Sequence, residues 1–257
     1  MSAKRLIGIV GGVGPYAGID LAQKVFDQTK ASSDQEHLPV ALLSLPEEIV
    51  DRTEYLLGHV HTNPAHAIAC VILQLDQLGA AVVGIPCNTA HAPAIFDVIL
   101  DELAKAGSAV KVLNMIVETA AVICREHPRI RTVGVLCTTG TARSGVYADT
   151  LRKAGLEVVM PDSALQEAIH RAIYDPKTGI KAQANPVTSE AMEVLTGAIH
   201  ALQQQGAEAV LLACTEIPLA VAPRSFADML VLDPTLILAR ALIREINPSK
   251  LKPWGNG

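Results

Sequence analysis

The chain has 257 residues, half of them hydrophobic and 18% charged, with a formal net charge of −5 and 3% aromatic residues. That length allows one large or two medium domains with a real core, and an acidic chain poor in aromatics argues against nucleic acid as a partner. No apolar run approaches the roughly 18 consecutive residues of a membrane-spanning helix, so no membrane partner is expected.

Strand and helix patterns alternate from the start. Leu6–Gly11 reads as a strand, its apolar run too short for a leader peptide and broken at once by glycine. A helix follows over Tyr16–Thr29, a strand over Pro39–Leu45, a helix over Ala65–Leu78, a strand over Ala81–Pro86 and a helix around Ala94–Ala106. The pattern restarts with helix Thr119–Arg125, strand Thr132–Cys137, helix Ser144–Ala154 and strand Glu157–Met160. Helices Leu165–Tyr174 and Thr188–Gln204 lead to strand Ala209–Ala213, then Leu230–Leu232 and a last helix over Thr235–Ile246. Such alternation implies crossover connections and an α/β fold of parallel sheets flanked by helices.

The sequence also echoes itself. LIGIVGG at 6–12 and TVGVLCT at 132–138 both open a strand with glycine third, and VVGIPCNT at 82–89 resembles AVLLACT at 209–215. Gly8 stands 79 residues before Cys87, and Gly134 stands 80 before Cys214. We therefore expect two pseudo-symmetric domains: 1–115 carrying Cys87, 116–231 carrying Cys214, and 232–257 as a closing strand end and helix whose return to the first domain is left open. Each half delivers one cysteine at the carboxyl end of a strand, where open α/β sheets place ligands, and two facing halves would bring both thiols to one cleft.

Two thiols on opposite sides of a substrate suit proton transfer at a carbon centre. One removes a proton from one face and the other returns a proton to the opposite face, so a base need not cross the substrate. A free thiol titrates near ~8.5, which leaves thiol and thiolate both accessible near neutrality. Asn88-Thr89 and Thr215-Glu216 follow the two cysteines, and backbone N–H groups there suit an α-carboxylate. The plain alternative is a small core residue, which is what we expect of Cys70 and Cys124 inside their helices. Cys137 ends a strand and is expected to line the same cleft without catalysing. The five cysteines show no CxxC and no zinc-like spacing, so no metal site is expected and a reduced, cytoplasmic setting fits.

At this point the residues match a known family. The stretches Gly11-Gly12-Val13-Gly14-Pro15, Asp34-Gln35-Glu36-His37, Asp51-Arg52-Thr53 and Pro86-Cys87-Asn88-Thr89-Ala90-His91 are joined by Thr138-Thr139-Gly140-Thr141, Ser144-Gly145-Val146-Tyr147 and Cys214-Thr215-Glu216. With these the chain resembles the aspartate racemases of the aspartate/glutamate racemase superfamily. The resemblance implies a two-base racemase without pyridoxal phosphate or any other cofactor, two α/β domains with the active site between them, and a homodimer. It implies Cys87 and Cys214 as the bases and a small amino-acid substrate, aspartate. It places Val13, Asn88, Thr89, Thr138, Thr139 and Thr215 around that substrate, with Arg52 and a lysine on its carboxylates. The family carries that lysine soon after Ile-Tyr; here DPKTGIKAQ follows Ile173-Tyr174, and Lys181 matches better than Lys177. Further departures are Val13, where many relatives carry Met, and Cys137, where they often carry a small non-thiol residue. Some relatives replace the first Cys with Thr and favour one enantiomer; this chain keeps both.

Arg52 is either a fork for a side-chain carboxylate or half of a surface ion pair with Asp51, and the resemblance favours the fork. Asp51 and Glu216 are supporting candidates that orient thiols or cations, or sit in solvent at the rim. His91 has a packing or capping role or touches the site; His59, His61 and His66 read as surface residues. Gly12-Val13-Gly14-Pro15-Tyr16-Ala17 satisfies a loose GxGxxG/A pattern, a weak signal for a nucleotide. Pro15 removes an N–H from that turn, and close backbone approach to a small substrate explains the glycines as well. Alternatives to aspartate are another amino acid such as glutamate, although glutamate racemases carry Asp-Ser-Gly where this chain has Gly-Gly-Val-Gly-Pro. A catalytically idle small-molecule sensor is the alternative from a different class.

Overall fold

The computed structural model describes residues 6–221, 226 and 229–254. The chain divides into two compact units, Met1–Glu118 with Thr235–Gly257, and Thr119–Pro234. Each unit is built on a four-stranded sheet in which all pairs are parallel.

In the first unit β1 (Leu6–Gly11), β2 (Val40–Ser44), β3 (Ala80–Gly84) and β4 (Lys111–Val112) lie in the order β2-β1-β3-β4. Its helices are α1 (Pro15–Gln28), the short α2 (Arg52–Leu56), α3 (Ala65–Gln77) and α4 (Pro93–Lys105). Next comes α5 (Met115–Glu126), which carries the chain across the division between the units. In the second unit β5 (Thr132–Cys137), β6 (Glu157–Val159), β7 (Ala209–Ala213) and β8 (Leu230–Leu232) repeat that order as β6-β5-β7-β8. They alternate with α6 (Thr139–Ser144), α7 (Val146–Lys153), α8 (Ser163–Tyr174), α9 (Ser189–Gln204) and α10 (Ile217–Ala220). The closing helix α11 (Pro234–Ile246) packs Leu238 and Leu242 against Gly84 of the first sheet.

The repeated glycine has a packing cause. A Cβ on Gly8 would stand 2.8 Å from Val83, 3.2 Å from Ala80 and 3.3 Å from Leu75 of α3. A Cβ on Gly134 would meet Leu202 of α9 at 3.1 Å and Ala207 at 3.2 Å. In both units a helix lies so close over the sheet that the central strand has no room for a methyl group. The register repeats too: Gly8 pairs with Val83 and Gly134 with Val210, each four residues before its cysteine. The two thiols thus hold equivalent positions in their own sheets, except that β7 runs up to Cys214 while β3 ends three residues before Cys87.

The strand and long-helix expectations hold to within a few residues. Not expected were α2, α6 and the two-residue β4, elements too short to show a period, whereas α10 is the helix expected soon after Cys214. Cys70 and Cys124 are a correction, since both are exposed on the solvent sides of α3 and α5. Among the described residues no helix is long and apolar enough to cross a membrane, and no cluster of His, Cys, Asp and Glu could hold a metal ion.

Candidate active site

In the first unit the thiol sits at the head of a tight turn. Cys87 donates its backbone N–H to the Ile85 carbonyl at 2.8 Å, and a single 3-10 turn over Asn88–His91 follows. Pro93 then opens α4, and the four turn residues are all buried. Cys87 belongs to the core on the α3 and α4 side of the sheet, together with Val13, Ile85, Ala90 and Phe96. His91 lies at the end of the turn, 2% exposed, donating Nδ1–H to the Cys87 carbonyl at 2.9 Å and stacking on Phe96. Burial drives its pKa down to about 4 against the opposing pull of the Cys87 and Leu113 carbonyls, so the ring is neutral at physiological pH.

Arg52 begins α2, which packs beside the Asn88–His91 turn. The guanidinium is buried, donating from Nη2 to the Val13 carbonyl at 2.6 Å and from Nη1 to the Val50 carbonyl at 3.2 Å. This overturns the surface-pair alternative: Arg52 ties the loop after β1 to the start of α2. Asp51 caps the same helix, accepting the backbone N–H of Thr53 at 2.7 Å and of Glu54 at 3.1 Å. Gly12 of the loop after β1 is required by this chain's own backbone. Gly12 has φ +79°, and a Cβ there would stand 2.8 Å from the Leu45–Pro46 peptide. His59 pairs with Glu54 at 2.9 Å on the surface, while His61 and His66 are also exposed.

In the second unit the thiol has charged neighbours. Cys214 caps the fully buried β7 and donates its thiol proton to Glu216 Oε2 at 3.0 Å. Thr215 donates its hydroxyl to the same oxygen at 3.2 Å, and Lys181 Nζ lies 3.5 Å from Glu216 Oε1. Glu216 is 6% exposed, which rules out the rim position weighed for it above. Burial first, then the Glu216 carboxylate and the hydrogen bond to it, push the Cys214 thiol well above its ordinary value; Lys181 pulls the other way.

The extra residues after Tyr174 explain how Lys181 arrives there. Asp175 accepts the backbone N–H groups of Lys177 and Thr178, and the segment folds back onto the end of α8. Ile180 and Lys181 donate to the carbonyls of Ala172 and Ile173, and Lys181 Nζ lies 4.8 Å from the centre of the Tyr174 ring. Lys177, by contrast, is exposed.

The other strand end of this sheet carries Thr138, which caps α6 by accepting the Thr141 backbone N–H at 3.3 Å. Thr139, the first residue of α6, is half-buried. Cys137 pairs with Ala213 in the sheet, so it adjoins the residue before Cys214. Its carbonyl accepts from Gln166 at 2.8 Å, and burial pushes its thiol up to about 12. One neighbour was not singled out from sequence. Tyr147 is 2% exposed and shares a hydrogen bond with Thr119; burial first holds its phenol well above the ordinary value, with Cys137, Asp233 and Cys214 adding to the shift. It was legible only as part of the Ser144–Tyr147 motif, because its surroundings come from three distant parts of the chain.

The family model described as Asp/Glu/Hydantoin racemase matches residues 10–242. The solved structure of the Picrophilus torridus aspartate racemase is similar with a TM-score of 0.80 and 31% identity, covering 96% of each chain. The broad specificity amino-acid racemase RacX of Bacillus subtilis (strain 168) is 27% identical over 93% of this chain and 96% of its own. A glutamate racemase of Pseudomonas entomophila (strain L48) is 26% identical over 82% of this chain and 69% of its own.

Proposed function

This chain belongs to the Asp/Glu/Hydantoin racemase family and is an amino-acid racemase; on that premise we propose that it interconverts L- and D-aspartate with Cys87 and Cys214 as paired acid and base. The observation that carries the reading is the equivalence of the two thiols, each four residues past the strand partner of a matched glycine. In one direction the thiolate of one cysteine takes the α-proton while the thiol of the other delivers a proton to the opposite face; in the reverse direction the roles exchange. No cofactor enters this scheme.

For the substrate contacts we read Val13, Asn88 and Thr89 beside Cys87, with Thr138, Thr139 and Thr215 beside Cys214. Arg52 and Lys181 supply positive charge for the two carboxylates, and Asp51 and Glu216 support them. The aspartate preference draws on these two cations and on the similarity to the Picrophilus torridus aspartate racemase. Five free thiols suit a reducing, cytoplasmic setting. We also propose a homodimer, supported by the exposed Tyr16, Ile19 and Phe26 of α1 beside Leu42 of the edge strand β2.

The test is incubation with L- and with D-aspartate in deuterated water, under reducing conditions and without pyridoxal phosphate. Both enantiomers are expected to gain deuterium at Cα and approach a racemic mixture. No exchange with either would sink the aspartate reading, and exchange with glutamate or other amino acids instead would move the chain toward the specificity of its other relatives. Cys87→Ser and Cys214→Ser are each expected to lower racemisation by roughly 10²–10⁴-fold, the usual range for losing an acid–base group. Sedimentation at micromolar concentration tests the dimer.

A further inference from the structure

Glu216 occupies a position that substrate binding does not explain. It is buried, its Oε2 accepts from both the Cys214 thiol and the Thr215 hydroxyl, and its Oε1 faces the Lys181 ammonium. A buried carboxylate so close to a thiol destabilises the thiolate unless a proton moves with the charge. We propose that Glu216 is a positioning residue that shares one proton with Cys214, accepting it at Oε2 when the sulfur becomes the base, while Lys181 holds the opposite oxygen.

The step balances within the pair. The S–H bond of Cys214 breaks as an O–H bond forms on Glu216, leaving a thiolate beside a neutral carboxylic acid. That thiolate takes the α-proton of the substrate and becomes a thiol again, and Cys87 gives its own proton to the other face. In the reverse direction Cys87 removes the α-proton, Cys214 delivers its proton, and the thiolate so formed recovers the one stored on Glu216. The pair thus holds one proton in one resting form and two in the other. Cys87 has no carboxylate hydrogen-bonded to its sulfur among the described contacts, so the two bases are not chemically equivalent despite their equivalent places in the sheets.

The groups facing Cys214 are Glu216, Lys181 and the Tyr147 hydroxyl. Removing the first two has opposite consequences. Glu216→Gln takes away the negative charge, which favours the thiolate, and with it the internal proton acceptor, which slows the proton transfer. Lys181→Gln takes away the cation that restrains Glu216, which disfavours it. A purely structural role predicts no such opposition.

This inference rests on Cys214 being one of the two bases, yet its first readout needs no substrate. Alkylation of Cys214 by iodoacetamide in the whole chain is followed against pH, with the five cysteines resolved by peptide mass spectrometry. The midpoint is expected to fall by about one unit in Glu216→Gln and to rise in Lys181→Gln. At one pH below both midpoints the rate should differ only about threefold for each unit of midpoint shift, because a less basic thiolate is also less nucleophilic. An unmoved midpoint in Glu216→Gln, or a shift of the same sign in both variants, overturns the proposal. In racemisation, Glu216→Gln is expected to lower kcat at least about tenfold with little change in KM, and Glu216→Asp to recover part of it. Equal loss in the Gln and Asp variants also counts against proton sharing. Failure of the two-thiol reading is seen separately, as absence of α-proton exchange in the unsubstituted chain.

Discussion

His91 donates Nδ1–H to the carbonyl oxygen of Cys87 at 2.9 Å, closing the turn that holds the thiol with a side chain four residues further on. The ring is buried, stacked on Phe96 and neutral, so the contact is a fixed strut with no charge to switch on between pH 6 and 8. Its consequence is a pH dependence of stability. The folded pKa of about 4 lies below the value of 6.5 for a free histidine, so between these the unfolded chain binds more protons. Stability from this group is therefore full above pH 6.5 and lost as pH falls toward 4, by on the order of 3 kcal/mol. Urea unfolding at pH 7.5 and pH 4.5 measures it, and His91→Asn should flatten that part of the profile. An equal acid loss in the variant would show that other groups set it.

The packing of glycine under a helix predicts a matched pair of defects. Gly8→Ala and Gly134→Ala each place a methyl group against a neighbour at 2.8 and 3.1 Å, so both should destabilise by about 1–3 kcal/mol, Gly8→Ala more. Adding Leu202→Ala to Gly134→Ala should recover part of the overpacking term, because Leu202 is the nearest obstacle in that unit. Denaturant midpoints of the single and double variants decide this, and strict additivity would refute the steric account.

Thiol labelling should sort the cysteines by environment. Cys70 and Cys124 are exposed and should react with a maleimide in the native protein, whereas Cys137, buried and raised to about 12, should react only on unfolding. Cys137→Ala is expected to keep racemase activity within about twofold while lowering stability by roughly 1 kcal/mol, as loss of a small buried group does. A collapse of activity in that variant, with the fold intact, would bring Cys137 into the chemistry.

Arg52 separates into two functions by substitution. Arg52→Ala removes the donors to the Val13 and Val50 carbonyls and should destabilise by about 2–3 kcal/mol. Arg52→Lys keeps the charge but not the fork, so KM for aspartate is expected to rise at least about tenfold with a smaller stability loss. Asp51→Ala should weaken the α2 cap by about 1 kcal/mol, and thermal unfolding with kinetics at saturating substrate keeps these apart. An unchanged KM in Arg52→Lys would leave Arg52 as a strut only.

Much of this was legible in the sequence because it depends on local pattern. Strand–helix alternation, the third-position glycines and the two cysteine motifs each sit within a dozen residues, and backbone geometry converts such patterns directly into elements. Tertiary structure alone decided which face each element turns to the core. A helical position reads the same whether its face meets solvent or another helix, which is why Cys70 and Cys124 were expected inside and lie outside. The approach of Leu45–Pro46 to Gly12 joins segments more than thirty residues apart, so no local pattern announces it. The motif matches Lys181 better than Lys177 without deciding between them, and only the folding of 175–181 back onto α8 shows Lys181 meeting Glu216. Local pattern thus yields the elements and places the two thiols at the ends of matched strands. Their electrostatic surroundings, a carboxylate and ammonium at Cys214 and a neutral imidazole behind Cys87, arise from contacts between groups far apart in the chain or turned by a single loop, and only the folded structure decides those.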